Sequence, residues 1–474
     1  GRRLLAAARP RGRGRRVALR AEAAQPGEFT PATLREWLEE ASTSLHDTLS
    51  SDIQDQFGNI PQQSGAAIRE CLARIDEVAR RAIAPSAAAH PFGSLVNGFG
   101  DTSSDLDIVI AVEKEELVYH MSYVNWYSQD RKYQEAVRGM HADADSHEGR
   151  PLRWMQLTQV NDKGANAWAV QQLAEFLPSA GFRVRRVLPL ARRPLLTLED
   201  EQGRLGECDV SVNNSLPLTN SELLRSYSLL SDTVRPMVLL VKAWAKHYRV
   251  CGAHEGNLSS YSWTIMVIYY LQLAEGLPSL QMLWDKDKGQ EDKEEDEKEK
   301  RTVFDTDYWG YDREFDASFV TAERYFEKFA GEAPPKSEYS MGELLYGFFR
   351  FYAREYRWGS EIISIRNPAR EAPDGWWRLY GKIHPEDGIH VEDPIELRDL
   401  NIVLKRHRLA QLKAELGRAS SMMEEGCSLE ELMSGPCLEP AADMIFQPRR
   451  RQQRMRISRQ LRPRAPRLYQ IPLG

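Results

Sequence analysis

Residues 92–110 read FGSLVNGFGDTSSDLDIVI. Gly93 and Ser94 stand at the end of a short strand, ahead of a turn that carries Gly98 and Gly100. Backbone N–H groups in such a turn, together with a serine hydroxyl, can approach phosphate oxygens. Asp105 and Asp107 follow at i and i+2, where a second strand begins. Strand alternation puts both carboxylates on one face, less than ~7 Å apart, and turns Leu106, Ile108 and Ile110 to the other. Carboxylates so placed can hold divalent cations ~3.5–4 Å apart, the spacing of a two-metal phosphoryl-transfer site. A Gly-Ser pair alone carries no signal, and an Asp-x-Asp pair carries little. This pair, however, opens a strand that is otherwise apolar on both faces, with Val109 and Ala111 continuing the acidic side. A third acid recurs in a similar setting: in GECDVSV, 206–212, Cys208, Val210 and Val212 face one way and Asp209 and Ser211 the other.

The flanking sequence alternates helix and strand. Thr30 and Pro31 open a helix over 31–50 whose apolar face runs through Leu34, Trp37, Leu38, Ala41, Leu45 and Leu49. A second helix carries Ile68, Leu72, Ile75, Val78 and Ile83 until Pro85 stops it. Strands are expected near 87–92, 105–112, 183–186, 195–199 and 207–213, with a helix at 169–177. Residues 113–168 read as an insertion or long loop. From 221 the pattern is helical: 221–230, 233–249, 260–274, 318–330 and 341–355. Between these, 285–301 holds nine acids and six bases and no apolar residue, which reads as a solvated or disordered insertion.

At 474 residues and 42% apolar, the chain can build two or three domains with sizeable cores. Its five cysteines are scattered, with no Cys-x-x-Cys and no Cys/His ligand cluster. A disulfide scaffold and a structural zinc are therefore not expected, and a reducing compartment fits. No apolar run reaches the ~18 residues of a membrane helix, so a soluble protein is expected. The net charge of −6 hides an asymmetry: residues 1–20 hold eight arginines and residues 448–474 hold nine, with no acid in either tail. Basic tails on an acidic body suit polyanion binding, or solvated tails without a partner. The Arg- and Ala-rich start also suits an organelle transit peptide, so cytoplasmic and mitochondrial locations both stay open.

The spacing of Gly93-Ser94, the Asp105-Leu106-Asp107 pair and the distant Asp209 resembles that of the DNA polymerase β-type nucleotidyltransferases. LLSDTVRPMVLLVKAWAKHYRV (229–250), LSSYSWTIMVIYYLQ (258–272), SMGELLYGFFRFYAREY (340–356) and EDPIELRDLN (392–401) narrow the resemblance to the terminal uridylyltransferase and cytoplasmic-type poly(A) polymerase family. It runs from about residue 30 to about 412. The implied fold is bilobal, an α/β nucleotidyltransferase domain with a mixed sheet and a mostly helical poly(A)-polymerase-associated domain, with the active site in the cleft. The expected organisation is a basic segment 1–28, an N-terminal helical segment 29–60 packing on the helical lobe, the catalytic domain 61–215, the helical domain 216–410, and a C-terminal extension 411–474.

Carried over residue by residue, the resemblance implies that Asp105, Asp107 and Asp209 bind metal, two Mg²⁺ with Mn²⁺ as the alternative. Gly93 and Ser94 would hold the triphosphate. Lys242 and Lys246 match its phosphate lysines, and their i,i+4 spacing sets both on one helix face beside Met237, Val241, Trp244 and Tyr248. Tyr261 matches the aromatic that stacks on the base, and Ser260 and Asn220 match phosphate and ribose contacts. Asp393 and Glu396 match the loop at the base edge. Uridine-selective members carry a histidine three residues after the glutamate, where this chain has Asp399 and an extra residue before Asn401. Arg183, Arg185, Arg186, Arg192 and Arg193 form a basic strip that suits an RNA backbone or a solvated edge strand. The implied activity is untemplated addition of UMP from UTP to the 3′ end of single-stranded RNA by a monomer, with AMP from ATP as the alternative. Nucleotidyl transfer to a small molecule and an inactive RNA-binding scaffold are more distant readings.

Overall fold

The computed structural model describes residues 29–40, 43–58, 60, 65–128, 162–191, 193–203, 205–288, 301–306, 312–329, 337–370, 376 and 388–438. Both basic tails, Arg192, and most of the two expected insertions (129–161 and 289–300) lie outside these residues.

The catalytic lobe is a five-stranded mixed sheet in the order β1-β2-β5-β4-β3. Its strands are β1 (Ala88–Phe92), β2 (Leu106–Ala111), β3 (Phe182–Leu188), β4 (Leu195–Asp200) and β5 (Glu207–Val212). Only the central β2–β5 pair is parallel. Alternation sorts the faces as expected: Leu106, Ile108, Ile110, Leu196, Leu198, Cys208, Val210 and Val212 belong to one buried cluster. Three helices supply most of the rest of that cluster: α3 (Gly65–Ala82), α4 (Lys114–Ser128) and α5 (Asp162–Phe176). The opposite face carries the aspartates.

Two of these helices differ from the sequence expectation. Residues 114–128, expected in a loop, are helical, and α5 starts at Asp162 rather than at 169. In α4, Leu117, Val118 and Met121 are buried. That stripe is too narrow to stand out as a helical period among polar and aromatic neighbours.

The helical lobe is built on α6 (Leu216–Leu230), α7 (Val234–His247), α8 (Ser260–Ala274) and α11 (Met341–Arg350). α8 is apolar on all sides and buried along almost its whole length, the behaviour of a helix enclosed by others. α11 starts at a complete capping box formed by Ser340 and Glu343 and runs into a single π-turn, Phe351–Glu355. The N-terminal segment forms two helices, α1 (Pro31–Glu40) and α2 (Thr43–Phe57), instead of one. Leu34, Trp37, Leu38, Leu49, Ile53 and Phe57 join the helical core, so both pack on this lobe. The core also extends past residue 410: α12 (Arg406–Glu425) and α13 (Leu429–Ser434) bury Leu409, Leu412, Leu416, Met423, Leu429 and Leu432 in it. Smaller elements complete the lobe: α9 (Leu280–Lys288), the β6–β7 hairpin (Thr302–Thr306, Asp312–Asp316), α10 (Ala322–Lys328) and the short β8–β9 pair (Ile362–Ile363, His390–Val391). Among the described residues no helix is long and apolar enough to cross a membrane.

Candidate active site

Strand register assembles the acids. Phe92 pairs with Asp107, Asp107 with Asp209, Asp209 with Thr197, and Thr197 with Arg186, making one row across all five strands. Neighbours in such a row stand about 5 Å apart, so Asp107 and Asp209 adjoin. Thr197 donates its hydroxyl to Asp209 Oδ1 at 2.7 Å, fixing that carboxylate. Burial raises the Asp107 carboxyl to about 7, with Asp209 and Asp105 adding to the shift. Burial also raises Asp105, helped by Glu207 and Asp209 and opposed by Lys246. Glu207, one alternation before Asp209 on the same face, adds to the negative field and was not singled out from sequence.

The donor set fits hard divalent cations, being all carboxylate oxygen with two aspartates in register. Among the described residues, however, no three His, Cys, Asp or Glu side chains are already gathered as an ion-holding group. Asp105 Oδ1 lies near the start of β5, where a Cβ on Gly206 would be 3.9 Å away.

The turn before the aspartates is held from the other lobe. The Gly93 amide donates to Ser221 Oγ on α6 at 2.8 Å. On α7, Arg235 donates to the Gly98 and Gly100 carbonyls at 2.8 and 3.4 Å, and Lys242 to the Phe99 carbonyl at 2.7 Å. Lys242 is buried, and burial followed by the nearby Lys246 lowers its ammonium to about 8. Lys246, one helical turn further, is exposed; it opposes the rise at Asp105 and adds last to the lowering of Asp101, which comes mainly from hydrogen bonds with Ser103 and Ser104 against burial. Ser94 is half-buried beside these groups.

At the other end of the cleft, Tyr261 stands in the first turn of α8 after exposed Ser260. The Tyr261 hydroxyl and Asn220 Oδ1 are buried without a hydrogen-bond partner among the described residues, which leaves both for an incoming polar ligand. Burial raises the Tyr261 hydroxyl further, with Asp393 acting the same way. Asp393 is buried and accepts from the Ile395 and Glu396 amides. Glu396 is paired with Arg398 on its own loop and, at 3.7 Å, with Arg193 from the catalytic lobe. The two lobes therefore meet at this loop.

Asp399 differs from the expectation of a base-edge contact. Only 2% exposed, it binds His390 Nδ1 at 2.7 Å and accepts from the Val391 and Asn401 amides. Leu397, two residues earlier, has a φ of +53°, and the chain turns Asp399 inward.

The basic strip lies on edge strand β3. A register shift lies between Val184 and Arg186. Arg183 and Arg186 are the ones that pair with acid-face residues, Glu199 and Thr197. Arg183 and Arg185 both bridge to Glu199, at 3.4 and 2.6 Å, so much of their charge is already answered.

The central palm domain of mitochondrial-like poly(A) RNA polymerase matches residues 49–229, and the Cid1 family poly A polymerase domain matches 340–398. Poly(A) RNA polymerase GLD2 of Homo sapiens is 28% identical over 359 residues, 74% of this chain and 59% of that protein. Terminal uridylyltransferase cid1 of Schizosaccharomyces pombe is 30% identical over 268 residues, 53% of this chain and 60% of that one. The chain thus spans less than two thirds of the length of these relatives. A solved cytoplasmic RNA terminal U-transferase superposes with a TM-score of 0.58 at 22% identity, covering 83% of this chain and 99% of its own. Cid1 in complex with the UTP analogue UMPNPP gives 0.54 at 22% identity, covering 85% and 98%.

Proposed function

By its two matched domains the chain belongs to the family of poly(A) RNA polymerases and terminal uridylyltransferases, and from that membership we propose that it adds nucleotides to RNA 3′ ends without a template, with UTP as preferred donor. The observation that carries the reading is the row Asp107–Asp209–Thr197, facing a cleft into which the helical lobe brings Lys246.

In this reading Asp105, Asp107 and Asp209 hold divalent cations, which supply charge stabilisation to the attacking oxygen and the leaving pyrophosphate. The chain's own groups do the rest. Lys246 meets the triphosphate, and Ser94 lies beside it at the turn. Tyr261 stacks on the base, and Asn220 Oδ1 takes a hydroxyl of the sugar. With Oδ1 held by Thr197, Asp209 keeps Oδ2 to orient the RNA 3′-hydroxyl or accept its proton. Arg186, at the end of the acid row, is the residue of the basic strip nearest in register for an RNA phosphate. The resemblance of the 258–272, 340–356 and 392–397 segments to uridine-adding members supports UTP. AMP addition is the second reading, favoured by the length of the match to poly(A) polymerase GLD2.

The test is purified protein with Mg²⁺, a single-stranded RNA oligomer, and each nucleoside triphosphate in turn. Untemplated extension that is fastest with UTP is expected. Extension with ATP alone would move the assignment to poly(A) polymerase, and no extension with any nucleotide would overturn it.

A further inference from the structure

Thr197 stands in β4 between Leu196 and Leu198, both wholly buried on the far face of the sheet, so its backbone is held from behind. Register makes it the neighbour of Asp209 in the acid row, with Arg186 on its other side. Among the described residues its hydroxyl is the one hydrogen-bond donor that reaches the Asp209 carboxylate, at 2.7 Å. A hydroxyl has a single proton to give, a β-branched side chain has few χ1 options, and Thr197 is too deeply buried for water to compete. The terminal torsion of an aspartate is otherwise broad and nearly two-fold, so an unheld Asp209 would turn about its Cβ–Cγ bond. The direction of the bond matters as much as its presence. Asp107 lies on the opposite side of Asp209 from Thr197. Oδ1 is therefore drawn towards β4 and away from Asp107, which leaves Oδ2 for any ion that the two aspartates share.

We propose that Thr197 is a positioning residue that limits Asp209 to one metal-ligating oxygen and thereby selects Mg²⁺ over Ca²⁺. Mg²⁺ requires near-octahedral ligands at about 2.0–2.1 Å, and the two oxygens of one carboxylate are too close together to fill two such positions. Ca²⁺ takes about six to eight ligands at about 2.3–2.6 Å and accepts a carboxylate through one oxygen or both. To chelate Ca²⁺ with both oxygens, Asp209 has to swing Oδ1 out of its bond to Thr197, at the cost of a charge-assisted hydrogen bond. Mg²⁺ asks for no such change. The selectivity thus comes from a residue that touches neither ion nor substrate, through the rigidity it gives the ligand. The inference rests on the metal-binding reading of Asp105, Asp107 and Asp209 above, and its test includes ion binding measured without catalysis.

Mn²⁺ bound to wild type, Thr197→Ser, Thr197→Val and Thr197→Ala would be followed by electron paramagnetic resonance while Mg²⁺ or Ca²⁺ displaces it. Thr197→Val keeps the side-chain outline and removes the donor, whereas Thr197→Ser keeps the donor. In Thr197→Val and Thr197→Ala the Ca²⁺ needed for displacement, relative to Mg²⁺, should fall about tenfold, and Thr197→Ser should stay near wild type. In extension assays with Mg²⁺, Thr197→Val should lower kcat by about 10–100-fold with the KM for UTP little changed, and Thr197→Ser should recover most of it. An unchanged Ca²⁺-to-Mg²⁺ ratio in Thr197→Val and Thr197→Ala would overturn the proposal, even if both variants melt earlier, because that is the result of a packing role alone. If Thr197→Val fails to fold, Thr197→Ala against Thr197→Ser still decides it. Wild type that binds no divalent cation would overturn the proposal together with the reading it rests on. Wild type that shows the expected ion selectivity but extends no RNA would count against the proposed reaction and not against the role of Thr197.

Discussion

Gly93 stands so close to Asp107 that a Cβ built on the glycine would overlap Asp107 Oδ2. Its φ of +77° is, in addition, a conformation that side chains rarely adopt. The glycine therefore sets where this carboxylate sits as well as allowing the turn. Gly93→Ala is expected to keep the fold and to cut extension by about 100-fold, the usual cost of moving a reacting group by an ångström. A circular dichroism spectrum and an extension assay check this together; an active alanine variant would detach the glycine from the site.

Asp107 predicts a pH signature. Its carboxyl titrates near 7 in the folded protein, held up first by burial and then by Asp209 and Asp105. In the unfolded chain it ionises near the ordinary 3.8, so between those values the folded state is progressively penalised as pH rises. Without divalent cation, Asp107→Asn should raise the melting temperature at pH 8 and leave it unchanged below pH ~4. Mg²⁺ should stabilise wild type more at pH 8 than at pH 6, and the variant little at either. Thermal shifts over a pH series read both effects.

Asp399 is expected to matter for stability rather than base choice. Asp399→Ala would strip His390 Nδ1 and two backbone amides of their acceptor, each costing about 1–3 kcal/mol if left buried and unsatisfied. Extension with UTP and with ATP should fall together. A changed UTP-to-ATP ratio in a competition assay, with stability intact, would return Asp399 to the base edge.

Gly347 predicts a packing failure in the helical lobe. A Cβ there would overlap the Tyr270 hydroxyl and come 2.6 Å from Leu34 Cδ1 on α1. Gly347→Ala should destabilise by about 1–3 kcal/mol, the range for overpacking, even though alanine is the better helix former. Denaturant unfolding measures it, and a neutral or stabilising result would mean that α1 yields easily.

The acid row was legible because it needs only two rules: strand alternation, and the placement of an acid among apolar neighbours. Asp105, Asp107 and Asp209 satisfy both. Arg235 gave no such sign. A cation beside Pro236 in an apolar helix looks the same whether it meets solvent or two carbonyls of a distant turn. Asp399 misled for a related reason. Spacing along the loop places it at the cleft, but the chain, left-handed at Leu397, turns it inward to His390. The β3 register shift is likewise silent in sequence, since Arg183, Arg185 and Arg186 are equally basic. What single-chain patterns miss here are contacts between segments more than a hundred residues apart, together with local backbone reversals.

The helices preceding the catalytic lobe belong to the core of the other lobe, and this has a mechanical consequence. The polypeptide passes between lobes twice, after α2 and again between β5 and α6. Two bodies tied at two points keep one easy motion, rotation about the line through those ties; sliding and twisting would have to stretch both connections. Rotation about those two ties, as of a door on two pins, is the motion that the chain connections themselves hinder least. Removal of residues 29–57 would take away one pin and, with it, the cover over apolar flanks of α7, α8 and α11.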